Sequence, residues 1–132
     1  MATTAQPLVR VRDVPASSIW YQAVLGATSH HGGAHYDQLV VDGELVLQLH
    51  DQAHEGEDGP AADDAVPHGA GIVLWFEVHD FDAAVKRIRA LGAEVAQGSA
   101  ERAWSRRQEL WLVDPDGYRV AIAGPSPHRP RT

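Results

Sequence analysis

A chain of 132 residues with 44% apolar side chains is sized for one compact domain and can build a real core. Its formal charge of −7 argues against a nucleic-acid surface, and the absence of cysteine excludes disulfides, thiolate metal sites and cysteine nucleophiles. The sequence contains no apolar run of the roughly 18 residues a membrane span needs, and Met1 to Ala5 carry neither a basic cluster nor an apolar leader, so the expectation is a cytoplasmic protein without membrane or nucleic-acid partners.

In chain order, residues 7–12 read as a short opening strand. Asp13 then precedes Val14, Ser17, Ser18, Tyr21 and Leu25 at near-helical spacing, with Asp13 as N-cap, Pro15 in the first turn and Gly26 as the stop. Trp20 on this helix is read as core or subunit interface. Tyr36 to Val41 and Glu44 to His50 flank Asp42-Gly43, a strong hairpin signal. Residues 51–71 hold Asp51, Glu55, Glu57, Asp58, Asp63 and Asp64 without Lys or Arg, and read as a long acidic loop. Ile72 to Val78 is the next strand, and Asp80 caps a second helix whose Phe81, Ala84, Val85, Ile88 and Leu91 share one face. Glu94 to Ala96 reads as a short strand and 97–107 as a polar loop. A last hairpin, Glu109 to Val113 and Tyr118 to Ala123, turns at Pro115-Asp116-Gly117 before a tail over 125–132.

The sequence states one pattern twice. Val11 to Ala16 and Val78 to Ala83 both read V-x-D-(apolar)-x-A, and both following helices end on Leu-Gly-Ala, at Leu25 to Ala27 and Leu91 to Ala93. The expected fold is therefore α+β, a single domain of two βαβββ modules, about 7–50 and 72–124, forming a curved mixed sheet around a cup with the helices outside. Strand alternation places Ile72, Leu74, Phe76 and Val78 under the second helix and turns Val73, Trp75 and Glu77 toward the cup.

The pattern V-x-D-x-x-A-x(4)-Y-x(3)-L-G, the run W-F-E-V-x-D-F-D-A-A-V and the closing L-V-D-P-D-G-Y resemble the vicinal oxygen chelate superfamily, over residues 7–124. That superfamily includes glyoxalase I, extradiol dioxygenases, fosfomycin-modifying enzymes and bleomycin-resistance proteins. Its enzymes hold a metal with up to four ligands, and the resemblance carries these positions onto Gln6, Gln48, Val73 and Ala121. Val and Ala offer no lone pair, and amide oxygens are weak ligands for a transition metal, so no metal or other cofactor is expected.

Without the metal, the family's Lewis-acid chemistry has no electrophile. The inward positions become Leu8, Arg10, Val46, Gln48, His50, Val73, Trp75, Glu77, Glu109, Trp111, Arg119 and Ala121, with Trp104 on its loop as a lid or a dimer contact. This is an apolar, aromatic cup with a few polar groups, suited to a flat small molecule. The resemblance then implies a homodimeric, non-catalytic resistance protein that sequesters a bulky aromatic natural product, such as a bleomycin-type glycopeptide, a mitomycin-like quinone or an anthraquinone enediyne. Protection would follow from mass action. The acidic segment is read either as an attraction for a cationic ligand or as a solubility device. Two rivals stand beside this reading: a glyoxalase- or dioxygenase-like enzyme, with misplaced metal ligands or with Glu77 or His50 as a metal-free base, and an accessory module with a vestigial cup. Glu77 is expected to meet Arg10 or Arg119, and the histidines other than His50 are read as solvated.

Overall fold

The computed structural model describes residues 3–51 and 71–125. The chain divides into two compact units, each a βαβββ module. Module one runs β1 (Leu8–Val11), α1 (Val14–Leu25), β2 (Thr28–Ser29), β3 (Tyr36–Val41) and β4 (Glu44–Asp51). Module two runs β5 (Val73–Glu77), α2 (Phe81–Leu91), β6 (Glu94–Arg102), β7 (Arg107–Val113) and β8 (Arg119–Ala123). The sheet orders are β1-β4-β3-β2 and β5-β8-β7-β6. In each, the first strand pairs parallel with the last and the remaining neighbours are antiparallel. The duplicated sequence pattern is thus a duplicated topology.

The repeated aspartates act as caps in both copies. Asp13 Oδ1 accepts from the Ala16 N–H and Asp80 Oδ1 from the Ala83 N–H, both at 3.0 Å, which satisfies a backbone donor that has no partner within the helix. Both helices stop at a glycine in the left-handed region, Gly26 (φ 67) and Gly92 (φ 74), where a Cβ would be strained. At the β3–β4 hairpin, Asp42 and Gly43 both take positive φ, as a tight two-residue turn of matching twist requires. In the second hairpin Asp114 Oδ1 accepts from the N–H groups of Asp116 and Tyr118 at 2.8 and 2.9 Å, so that carboxylate braces the D-P-D-G turn.

Alternation separates each sheet into two faces. In module one, Val9, Val11, Leu39, Leu47 and Leu49 are buried on the side that receives α1, whose Val14, Tyr21, Val24 and Leu25 are buried too. Trp20 is buried and meets Tyr21 edge-on at 4.7 Å, so it belongs to the core. In module two, Leu110, Leu112, Val120 and Ile122 form the matching apolar face, and α2 contributes Ala84, Val85 and Ile88.

The structure corrects several expectations. Ile72 lies outside β5 and is 62% exposed, so it does not pack under α2. The polar stretch 97–107 is largely strand: β6 continues to Arg102, a turn spans 103–106, and β7 begins at Arg107. β6 is an edge strand with nearly all side chains exposed and two register irregularities, so it has no buried face to imprint an apolar alternation. The short β2 was not anticipated, and Asp51 ends β4 instead of opening a loop. The rest of the acidic segment, 52–70, and the tail from 126 lie outside the described residues.

Asp37 was not singled out by the sequence, yet it organises module one. It sits on the core face of β3, 1% exposed. Its carboxylate accepts from Ser18 Oγ of α1 at 2.5 Å, Ser29 Oγ of β2 at 2.7 Å and the Gly32 N–H at 2.7 Å. Burial alone would raise its pKa, but hydrogen bonds from Ser18, Gly32, Ser29 and Gln38 together outweigh it and hold the carboxyl below its ordinary value of 3.8. A depressed carboxyl contributes stability in full above its unfolded pKa, and that contribution is lost as pH falls through the folded value. Asp37→Asn is expected to destabilise the protein by about 2–3 kcal/mol at neutral pH, with the difference from the parent shrinking below about pH 4. Urea denaturation across pH 3–7 measures both. Removing either helix cap, Asp13→Ala or Asp80→Ala, should cost about 1 kcal/mol each in the same assay.

Candidate functional site

The faces opposite the cores carry the residues of interest, and cross-strand register decides which stand together. In module two, Trp75 of β5 pairs with Ala121 of β8, which pairs with Trp111 of β7. The next row is Glu77, Ala123 and Glu109, and the row on the other side is Val73, Arg119 and Val113. Val73, Trp75, Glu77, Glu109, Trp111, Arg119 and Ala121 therefore share one face. Ala121 and Ala123 are fully buried, whereas Arg119 is exposed and Val73 partly so.

Small side chains on the central strand leave room for large ones on its neighbours. Trp75 and Trp111 meet edge to face with ring centroids 6.2 Å apart. Trp104, on the turn between β6 and β7, reaches Trp75 edge-on at 5.5 Å while remaining 71% exposed. The three tryptophans form one aromatic group, held by hydrogen bonds. Glu109 is fully buried; its Oε1 accepts from Trp111 Nε1 at 2.8 Å, and its Oε2 accepts from Ser105 Oγ on the Trp104 turn. Arg107 spans the face: its Nη1 donates to Glu77 Oε1 at 3.1 Å, and its guanidinium carbon lies 5.1 Å from the Trp75 ring centroid. The sequence reading named Arg10 and Arg119 as partners for Glu77 and missed Arg107. The signal was weak, because Arg107 stood in what looked like a loop; only with β7 starting there does i, i+2 spacing put it beside Glu109.

Module one places Leu8, Gln48 and Gln38 in one row and Arg10, His50 and Tyr36 in the next. Val46 continues this face by alternation along β4. Leu8, Arg10, Tyr36 and His50 line a cavity of about 370 Å³. His50 is buried, and its Nδ1 lies 3.0 Å from the Asp51 carbonyl oxygen, the geometry of an N–H donor there. Tyr36 and Gln38, which the sequence did not mark, belong to the same network: Gln38 Nε2 donates to Tyr36 Oη at 3.1 Å, and Tyr36 donates to Gln48 Oε1. His35 is exposed and its Nδ1 pairs with Asp51 at 3.0 Å. His54 lies outside the described residues.

The four positions carried over from the family's metal site do not fit a metal. Val73 and Ala121 are hydrocarbon. The Gln48 amide is engaged at both ends, accepting from Tyr36 and donating from Nε2 to the Gln6 backbone oxygen at 3.0 Å. Gln6 itself is exposed ahead of β1. Among the described residues, no group of three or more His, Asp or Glu side chains is placed to hold a metal ion. No helix among them is long and apolar enough to cross a membrane.

The fold is shared with several solved structures. An integron cassette protein from the mobile metagenome of V. cholerae matches with a TM-score of 0.70 at 22% identity, covering 96% of this chain and 97% of that one. A lactoylglutathione lyase from Agrobacterium tumefaciens matches at 0.67 and 17% identity, covering 94% of each chain. A genomically encoded fosfomycin resistance protein from Listeria monocytogenes matches at 0.69 and 13%, covering 96% of each. At these identities the likeness is one of fold. No curated protein matches the sequence. The model of one family, however, matches residues 3–122. The chain belongs to the Glyoxalase/Bleomycin resistance protein/Dioxygenase superfamily.

Proposed function

We propose that this protein is a non-catalytic binder that sequesters a bulky aromatic small molecule, in the manner of the superfamily's resistance proteins, and that it acts as a homodimer. The observation that carries this reading is the row Trp75, Ala121, Trp111, with Trp104 against it. Two of the positions carried over from the metal site, Val73 and Ala121, fall on the same face as these indoles. The surface that would present a substrate to a metal instead offers aromatic rings, which favour stacking on another flat ring by about 0.5–1.5 kcal/mol beyond the area they bury. Glu77 is paired to Arg107 and Glu109 accepts from Trp111 and Ser105, so neither carboxylate is set up as a general base.

A second reading, metal-free acid–base catalysis, is favoured by one observation. His50 lies on a cavity, and donation from its Nδ1 to the Asp51 carbonyl would leave Nε2 as the basic nitrogen. The two readings differ in what happens to the ligand. A binder returns it unchanged, whereas an enzyme yields many molecules of product per site.

Tryptophan fluorescence titration against bleomycin-type, mitomycin-type and anthraquinone ligands is expected to show saturable quenching at one or two ligands per dimer. Trp111→Ala should weaken the quenching ligand at least about tenfold. No quenching by any candidate would favour a vestigial site. A tightly bound transition metal in each untagged chain, or a ligand recovered as product with loss of turnover in His50→Ala, would sink the binding proposal in favour of an enzyme.

A further inference from the structure

We infer that the aromatic face of module two selects a flat ligand bearing a hydrogen-bond acceptor at its edge, a ring carbonyl being the simplest, and carrying no positive charge. This rests on the binding function proposed above and names the chemistry of its ligand. The indole Nε1 of Trp75 and the Nε of Arg107 are both buried and have no hydrogen-bond partner among the described residues. Buried N–H groups in native proteins nearly always have an acceptor, so an orphan pair marks a place where one is supplied from outside. These two belong to side chains in contact, since the Arg107 guanidinium lies 5.1 Å from the centre of the Trp75 ring.

The carboxylates on the same face are already engaged. Glu77 holds Arg107 at 3.1 Å, and both oxygens of Glu109 accept, one from Trp111 and one from Ser105. A cationic ligand would compete with these donors for the carboxylates and would meet the positive charge of Arg107. An acceptor atom that reached either nitrogen would complete a hydrogen bond that the described residues leave open. A ring oxygen brought to the edge of Trp75 could also lie beside Trp104, whose exposure leaves it free to shift.

Isothermal titration calorimetry on the full chain with three probes tests this. Anthraquinone-2-sulfonate and anthracene-2-sulfonate differ only in the two ring carbonyls, and proflavine is a flat cation. The quinone is expected to bind about tenfold more tightly than the anthracene, with proflavine weakest. Trp75→Phe keeps an aromatic face but loses the N–H; Arg107→Lys keeps the charge facing Glu77 but loses Nε. Each should bring the quinone-to-anthracene ratio toward one, whatever it does to the affinity for either probe alone. Equal affinity for quinone and anthracene, a ratio that survives both substitutions, or tightest binding of proflavine would overturn the inference while the binding function stands. No binding of any of the three probes would overturn both.

Discussion

The aromatic face depends on two alanines. β8 is a central strand, flanked by β5 and β7, and its side chains on the outer face are Arg119, Ala121 and Ala123. Cross-strand neighbours in a sheet stand only about 5 Å apart, so a large side chain between Trp75 and Trp111 would hold the two indoles apart. With a methyl group in the middle of the Ala121 and Ala123 rows, the outer residues can lean inward. Trp75 and Trp111 meet across Ala121, and Arg107 reaches Glu77 across the strand that carries Ala123. A larger residue at 121 would keep the backbone ladder and lose the aromatic contact.

Module one shows what the same topology yields without that device. Its central strand β4 presents Gln48 and His50 where β8 presents Ala121 and Ala123, since each sheet pairs this strand with the module's first strand in parallel and with the preceding hairpin strand in antiparallel. The large polar groups in the middle rows bond to their neighbours, in the chain Gln38 to Tyr36 to Gln48 to the Gln6 backbone. Such a network fixes side-chain orientations because each buried polar atom that lost its partner would carry a desolvation cost. One module thus displays a hydrogen-bonded polar face and the other an aromatic face, on one repeated backbone plan.

Much of this plan is legible in the sequence because it is written in local chemistry. Asp13 and Asp80 cap the helices whose starts they announce, Gly26 and Gly92 adopt the left-handed stops, and Asp42-Gly43 makes the turn it signals. Faces follow from alternation, which groups Trp75, Glu77, Glu109, Trp111 and Ala121 from the residues alone. Contacts between strands are another matter. Nothing in the residues near Asp37 announces Ser18 of α1 as its partner, and β6 hides as a strand because an exposed edge imposes no apolar period. Arg107 was invisible for the same reason, being the first residue of a strand whose partner was illegible.

Glu109 shows how burial converts such contacts into order. A fully buried carboxylate is costly unless both oxygens are hydrogen-bonded, and here the donors come from two different places, the Trp111 indole on the same strand and Ser105 on the preceding turn. The turn that carries Trp104 is thereby tied to the strand that carries Trp111. Moving the turn as a whole would strip a donor from a buried charge, whereas rotating the exposed Trp104 side chain about its own bonds would not. Of these indoles, Trp104 can therefore turn without disturbing Glu109, whereas Trp111 stays tied to it. For the flat ligand proposed above, a tied Trp111 beside one adjustable ring would lower the entropy lost on binding.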